Sequence, residues 1–285
     1  VAPVALCKNV ATTLEDFCEA YVYADQTEGT PYINNGSNDA CGIASLVLDT
    51  TKYGCNDVGL HTVILTVTDV NGNVSTCSAT VLVQDKILPS ALCNGLTIQL
   101  DASGQTSVTP TQLNNGSYDN CGIASIVATP NMFTCANLGL NPVVLTVTDT
   151  HGNQDTCMSA VTVTDVINPT ITCPSDTAAT ALQGVCNKPL TISLPIVADN
   201  CTVASVVNSF NGTADASGTY PGAYPNTNVT DVLWTVTDQS GNKATCHQIV
   251  TIYPCINVNT ALLGTTNSTI CPGECNGSIA ISNDQ

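Results

Sequence analysis

The sequence predicts an all-β protein: a row of small β-sandwich modules stapled by disulfides and arranged as an elongated array. Three observations lead to this fold class. The chain repeats itself at a fixed period, its apolar segments have the length and alternation of strands, and it contains 16 cysteines in 285 residues. Thr, Val, Asn and Ala are abundant, which favours pleated strands and tight turns over helices.

The repeat is visible in long matching segments. "NNGSNDACGIASLVLDT" recurs as "NNGSYDNCGIASIVATP", and "LTVTDVNGNVSTC" recurs as "LTVTDTHGNQDTC" and "WTVTDQSGNKATC". The step between equivalent cysteines, for example from Cys41 to Cys121, is 80 residues. We therefore expect three modules and the beginning of a fourth, with boundaries at 1–84, 85–164, 165–253 and 254–285.

Each module reads as a small immunoglobulin-like sandwich. Residues 61–69 and 74–85 alternate or remain apolar over strand length, and a short turn separates them. Gly, Asn, Asp and Pro interrupt the chain at intervals of about 8–12 residues, as in sandwiches of short strands. The single tryptophan, Trp234, is expected on the penultimate strand of its module, so the antibody Cys…Trp…Cys pattern is absent.

The segment Asp69–Asn73 has oxygen-bearing residues at alternate positions, as a calcium loop does. Its middle residue, Asn71, is replaced by His151 and Ser240 in the other copies, and no glutamate follows at the twelfth position. The copies share a residue that tolerates positive φ before a glycine, which favours a two-residue hairpin turn. We expect a turn between the last two strands of each module.

Charge and cysteine usage restrict the function. The net charge is −17, with five Lys and no Arg, which disfavours nucleic acid and anionic membranes as partners and favours cations. No run of 18 apolar residues occurs, so no membrane insertion is expected. Sixteen cysteines indicate an oxidising compartment, hence an extracellular or cell-surface location.

The cysteines can be paired by comparing the copies. Four cysteines permit three connectivities, and the simplest scheme joins the first strand of each module to its last and gives each loop cysteine a local partner. The predicted disulfides are Cys7–Cys77, Cys41–Cys55, Cys93–Cys157, Cys121–Cys135, Cys173–Cys246 and Cys186–Cys201. The sequence identifies no partner for Cys18, Cys255, Cys271 or Cys275. The Cys271-x3-Cys275 spacing resembles half of a zinc site, but no second pair accompanies it.

Acidic residues are predicted to gather where one module follows another. A linker Asp, an Asp two residues before the loop cysteine and the hairpin Asp form one set in each of two modules: Asp85, Asp119 and Asp149, then Asp165, Asp199 and Asp238. Hard oxygen ligands of this kind suit Ca²⁺, the only cofactor we expect, and an ion would stiffen the joint. The alternative is that each Asp only caps its own turn.

Catalytic machinery is missing from the sequence. The three histidines, His61, His151 and His247, have neither metalloprotease spacing nor a nucleophile motif beside them. There is no glycine-rich phosphate loop. We therefore expect a protein that is not an enzyme.

Residues 169–252 resemble the hyalin repeat, with "PTITCP", "ADNC" and "WTVTDQSGNKATC" at the matching positions. Residues 266–282 resemble the start of an SprB-type repeat. Together they resemble large surface adhesins of Bacteroidetes, including gliding-motility adhesins. The resemblance implies an immunoglobulin-like fold and an adhesive or spacer role. Thr50 and Thr177 match the O-glycosylation signal of that group.

The expected function is that of a structural or adhesive stalk segment in a large secreted or surface-anchored bacterial adhesin. Two alternatives remain open: a subunit of an extracellular filament, and an array of glycan- or matrix-binding modules. The expected partners are accordingly cell-surface glycans, matrix or solid surfaces, or further copies of the chain.

Overall fold

The computed structural model describes residues 1–26, 30–181, 187–223 and 226–254. Strands dominate this part of the chain, and its only α-helix is the four-residue α1 (Pro110–Leu113), with two 3-10 turns at Cys55–Asp57 and Cys135–Asn137. No helix in these ranges has the length and hydropathy needed to span a bilayer. The all-β, immunoglobulin-like fold class is confirmed.

Two compact units make up the described chain. The first contains residues 1–97, 107–132 and 140–162, and the second contains residues 98–106, 133–139 and the described part of 163–285. Residues of the second sequence repeat fall in both units. The module boundaries predicted from the repeat therefore remain a prediction, and the predicted fourth module from residue 255 onward lies outside the described residues.

The first repeat forms a four-stranded sheet and a two-stranded one. Its strands are β1 (Val10–Thr13), β2 (Ala20–Tyr21), β3 (Ile43–Leu48), β4 (Lys52–Tyr53), β5 (Gly59–Asp69) and β6 (Val74–Gln84). The larger sheet has the order β1-β6-β5-β3, and β2 pairs with β4. The first strand lies parallel to the last, with Val10 opposite Val81.

The second repeat has the same strand arrangement. Its strands are β7 (Leu96–Gln99), β8 (Gln105–Ser107), β9 (Ile123–Thr129), β10 (Met132–Thr134), β11 (Gly139–Asp149) and β12 (Gln154–Thr164). They form a sheet of order β7-β12-β11-β9 and a pair of β10 with β8.

The third repeat adds one further pair of strands. Its strands are β13 (Thr170–Thr172), β14 (Thr177–Thr180), β15 (Asn187–Leu190), β16 (Ile196–Ala198), β17 (Val203–Asn208), β18 (Gly218–Pro221), β19 (Asn228–Asp238) and β20 (Lys243–Tyr253). The main sheet is β14-β20-β19-β17, beside the pairs β13–β16 and β15–β18. Three equivalent four-stranded sheets thus follow from three copies of one sequence pattern.

Alternation along the long strands places one face of each sheet in a core. Val63, Leu65 and Val67 on β5 are fully buried, while the residues between them are partly or fully exposed. In the third repeat Trp234 lies on β19, the penultimate strand, as expected, and is fully buried. Full burial of an aliphatic side chain such as that of Leu65 stabilises a fold by about 1.5–3 kcal/mol.

The hairpin between the last two strands of each repeat is longer than predicted. Strand β5 ends at Asp69 and β6 begins at Val74, so four residues connect them and not two. Within the described chain Cys18 is the only non-glycine residue with positive φ, so Asn71 does not adopt the expected conformation. Gly72 alone does, at φ 83°. The turn is held by the Asp69 side chain, which a two-residue hairpin does not need.

Candidate cation sites and disulfides at the repeat junctions

The first acidic set predicted from the sequence is brought together in the structure. Ligand oxygens of Asp85, Asp119 and Asp149 lie within 4.8 Å of one another, and all three residues belong to the first compact unit. Asp85 follows β6, Asp119 precedes β9, and Asp149 ends β11. We call this cluster, together with the neighbouring Cys121, the first junction.

Asp149 is fixed by its own hairpin. Its Oδ1 accepts from the backbone N–H groups of His151 and Asn153, at 2.8 and 2.9 Å, and its Oδ2 accepts from Asn153 Nδ2 at 2.7 Å. Burial of this carboxyl opposes ionisation, but the donors outweigh it and hold the pKa of Asp149 below its usual value. The hairpin therefore presents a carboxylate.

The other two acids of the first junction differ in their hydrogen bonding. Asp85 is buried; its Oδ1 accepts from Ile87 N at 3.1 Å and its Oδ2 lies 3.0 Å from His151 Nδ1. Asp119 Oδ1 accepts from Cys121 N at 2.8 Å, but its Oδ2 is buried without a hydrogen-bond partner. Asp119 thus has one carboxyl oxygen that neither its own turn nor a neighbouring side chain satisfies.

The second acidic set forms an equivalent cluster within the second compact unit. Ligand oxygens of Asp165, Asp199 and Asp238 again lie within 4.8 Å of one another. Asp165 is buried and its Oδ2 has no partner; Asp199 Oδ1 is likewise unpaired, while its Oδ2 accepts from Cys201 N at 2.9 Å. We call this cluster, with Cys201, the second junction.

Unpaired oxygens concentrate at the two junctions. Six buried side-chain polar atoms of the described residues lack a hydrogen-bond partner, and all but the Tyr53 hydroxyl belong to these loops: Asp119 Oδ2, Asn120 Oδ1, Asp165 Oδ2, Asp199 Oδ1 and Asn200 Oδ1. A buried polar atom without a partner costs about 1–3 kcal/mol. Carboxylate and amide oxygens are both ligands that Ca²⁺ accepts.

The amides of Asn120 and Asn200 were not identified from the sequence. Both stand in the repeated Asp-Asn-Cys segment, directly after Asp119 and Asp199. The first repeat has Ala40 at this position. The presence of Asn in two of the three copies of this segment is the signal that would have pointed to them.

The first repeat has acids at two of the three positions. Asp39 and Asp69 occupy the loop and hairpin positions. Among the described residues these two acids are not part of any group with metal-ligand spacing. Each of the two clusters contains a linker acid, Asp85 or Asp165.

Three disulfides join the beginning of a repeat to its last strand. These are Cys7–Cys77, Cys93–Cys157 and Cys173–Cys246, with Cα–Cα distances of 5.8, 6.1 and 5.8 Å. They match the predicted terminal pairs.

The three predicted local pairs are wrong. The structure has Cys55–Cys121 in place of Cys41–Cys55, and Cys135–Cys201 in place of both Cys121–Cys135 and Cys186–Cys201. Their Cα–Cα distances are 5.3 and 5.5 Å, within the range a disulfide spans. Each bond joins one repeat to the next, because the 3-10 turn of one copy lies against the Asp-x-Cys loop of the following copy.

The remaining predicted sites have mixed outcomes. Cys18 and Cys41 are free cysteines, and Cys186, Cys255, Cys271 and Cys275 lie outside the described residues. Thr50 is exposed and Thr177 is half-buried on β14. Glycosylation of the two threonines stays a prediction.

The strand order, the terminal disulfides and the repeated sheets define a set of immunoglobulin-like β modules. No family model matches the chain. Hyalin from Strongylocentrotus purpuratus is 31% identical over 176 residues, which cover 59% of this chain and 15% of hyalin. The chain thus spans a small part of that relative's length.

Two of the solved structures with similarity to the chain are fragments of several domains. The extracellular cadherin domains 1–4 of protocadherin gamma B7 match 88% of this chain and 76% of their own length at 12% identity, with a TM-score of 0.34. A three-immunoglobulin-domain fragment of titin matches 88% of this chain and 99% of its own length at 9% identity, with a TM-score of 0.35.

Proposed function

We propose that the chain is a structural and adhesive segment of an exported protein, in which Ca²⁺ and a disulfide together fix each repeat to the next. The observation that supports this most directly is the coincidence of the two features. At the first junction, Cys121 Sγ lies within 4.8 Å of ligand atoms of Asp85 and His151, so the covalent link and the acidic cluster share one place.

A cation at each junction would offset the charge of the three carboxylates and pair with the unpaired oxygens. Three carboxylates whose oxygens lie within 4.8 Å repel one another, and the chain carries few positive charges to offset them. Ca²⁺ accepts six to eight oxygen ligands in flexible geometry, which suits carboxylates, an Asn amide and water. Extracellular calcium modules work at about 10⁻⁴–10⁻³ M.

The two sites are proposed to differ in affinity. At the first junction His151 Nδ1 engages Asp85 Oδ2, whereas the equivalent Asp165 Oδ2 at the second junction has no partner and Ser240 replaces the histidine. An ion at the first site must displace this contact. We propose that the second site binds Ca²⁺ more tightly.

The stalk role in a bacterial adhesin extends this proposal. It is supported by the hyalin-repeat resemblance and by the five disulfides, which indicate an oxidising environment. A linked row of modules transmits force and holds a binding partner at a distance. Binding of the full chain to a glycan array would instead support direct recognition of glycans by the modules.

Calorimetric titration of the full chain with CaCl₂, with melting curves in parallel, tests the cation sites. Asp85→Asn and Asp165→Asn are each expected to abolish one of the two junction sites. Asp16→Asn is the matched control, because Asp16 is exposed and its substitution removes the same amount of charge. Saturation at 100 times Kd would add about 2.7 kcal/mol to stability. Unchanged binding in both junction variants would contradict the proposal.

A further inference from the structure

A third sulfur lies beside the disulfide of the first junction. The Sγ atoms of Cys18, Cys55 and Cys121 are all within 4.8 Å of one another, and Cys18 is a half-buried free thiol. Its Sγ hydrogen-bonds the backbone oxygen of Asn120, the residue before Cys121. The thiol is thus held against both halves of an existing bond.

The backbone at Cys18 is unusual for a residue with a side chain. Its φ is 60°, in the left-handed region that favours glycine. It closes a turn in which Cys18 N donates to Glu15 O and Glu15 N donates to Glu19 O, each at 2.9 Å. A side chain at such a position points to a role for that side chain.

The second repeat has the same turn with glycine in this place. Gly104 N donates to Asp101 O and Asp101 N donates to Gln105 O, each at 2.9 Å, and φ of Gly104 is 73°. A Cβ on Gly104 would lie 2.7 Å from Cys135 Sγ, so this turn too lies against a junction disulfide. The two repeats therefore differ in one respect here: the first adds a thiol.

The strand register points to the partner of that thiol. Strands β2 and β4 pair antiparallel with Ala20 opposite Tyr53. Continuing this register by two residues on each side places Cys18 opposite Cys55. A bond between them would lie inside the first repeat, just beyond the paired ends of β2 and β4.

We propose that Cys18 is a thiol–disulfide exchange site that opens the first junction. The Cys18 thiol loses its proton, and the thiolate attacks Cys55 Sγ. The Cys18–Cys55 bond forms, the Cys55–Cys121 bond breaks, and the leaving Cys121 thiolate takes up a proton. One disulfide and one thiol are present before and after, so the step needs no external oxidant or reductant.

Exchange converts a link between repeats into a link within one repeat. Cys121 is freed beside Asp85 and His151, so the junction loses its covalent link and keeps only non-covalent contacts and the proposed cation site. The second junction, with Gly104 in place of a thiol, has no such route. The first junction is therefore the releasable one of the two described here.

Disulfide mapping of the oxidised full chain tests the exchange. The protein is incubated near pH 8 without added thiol, quenched with acid, alkylated and digested for mass spectrometry. The wild type is expected to contain the Cys18–Cys55 peptide and alkylated Cys121, and Cys18→Ser is expected to contain neither. The Cys135–Cys201 bond is the control within the same molecule and should stay intact.

Two outcomes would overturn the proposal. One is a wild-type map with Cys18 fully alkylated and Cys55–Cys121 intact, also after traces of reduced glutathione are added. The other is equal loss of Cys55–Cys121 in wild type and Cys18→Ser. Cys18→Gly serves as a second variant, because Gly104 shows that the turn accepts glycine, and its thermal melt verifies folding.

Discussion

Cys55 and Cys121 form a disulfide across the boundary of two sequence repeats, and 80 residues later Cys135 and Cys201 form its equivalent. Both bonds close a loop with a sequence separation of 66 residues, almost as long as a whole repeat. The covalent connection between neighbouring repeats is therefore as regular as the connection within them.

Removal of the second junction disulfide tests its energetic weight. Closing a loop of this length stabilises a fold by about 4 kcal/mol on the chain-entropy model. Cys135→Ser combined with Cys201→Ser is expected to lower the free energy of unfolding by about that amount, read from Trp234 fluorescence in urea. Cys41→Ser, at an exposed free thiol, is the control and should change little. Equal midpoints for the two variants would contradict the expectation.

The buried tryptophan offers a test of the third-repeat core. Trp234 Nε1 donates to Gln248 Oε1 at 3.1 Å, and both residues are buried. Trp234→Phe leaves that acceptor unpaired and removes packed volume, which should cost about 2–3 kcal/mol in thermal or urea unfolding followed by circular dichroism. Tyr118→Phe, at an exposed ring, is the control. A loss no larger than the control's would show that the pair is not part of the core.

The hairpin residue Asp69 should make the stability of the first repeat depend on pH. The Asn73 side chain donates to Asp69 Oδ2 at 2.7 Å and, with backbone donors, lowers the pKa of Asp69. A folded pKa below the unfolded value of about 3.9 means that the carboxylate stabilises the fold above about pH 4. This contribution is lost as the pH falls through the lowered folded pKa.

Asp69→Asn is the variant that isolates this effect. At about pH 7 it should unfold at lower urea than the wild type, and the gap should narrow at about pH 2.5. Asp16→Asn, at an exposed acid of the same unit, tests whether removal of any acid there gives the same result. A gap that stays constant with pH would mean that the Asp69 charge is not responsible.

Cys41 holds the position that Cys121 and Cys201 hold in the following repeats. Its backbone N–H donates to Asp39 Oδ1 at 2.8 Å, as in the equivalent loops of the other repeats. Its thiol, however, is exposed and not bonded to another sulfur. An extra copy of residues 1–84 fused before Val1 is expected to bond to Cys41 through its cysteine equivalent to Cys55. Peptide mapping would detect the bond, and Cys41→Ser should abolish it. Full alkylation of Cys41 in the fused protein would contradict the pattern.

The sequence predicted the acids better than the disulfides for a physical reason. Asp85, Asp119 and Asp149 follow from strand ends and linkers, which the repeat locates. A disulfide partner depends on which loop of the next repeat lies opposite, and spacing within one repeat does not contain that information. The available signal was the presence of the Cys55 equivalent in repeats one and two only, one repeat before each bonded loop cysteine.

The unpaired oxygens could not have been predicted from residue types. Asn200 Nδ2 donates to Asp165 Oδ1 at 3.2 Å while its own Oδ1 has no partner, an asymmetry that only coordinates show. The same holds for Cys18, whose left-handed backbone and nearby sulfurs depend on the fold. The repeat pattern predicts the strands, whereas the unpaired oxygens and the environment of Cys18 depend on how the loops pack.

Disulfide mapping of the second junction tests the central claim most directly, because no third described thiol lies there to exchange. The non-reduced, acid-quenched full chain is digested and its linked peptides are sequenced by mass spectrometry. We expect a peptide pair that joins Cys135 to Cys201. A pair that joins Cys121 to Cys135, with Cys201 bonded elsewhere, would contradict the covalent link between repeats.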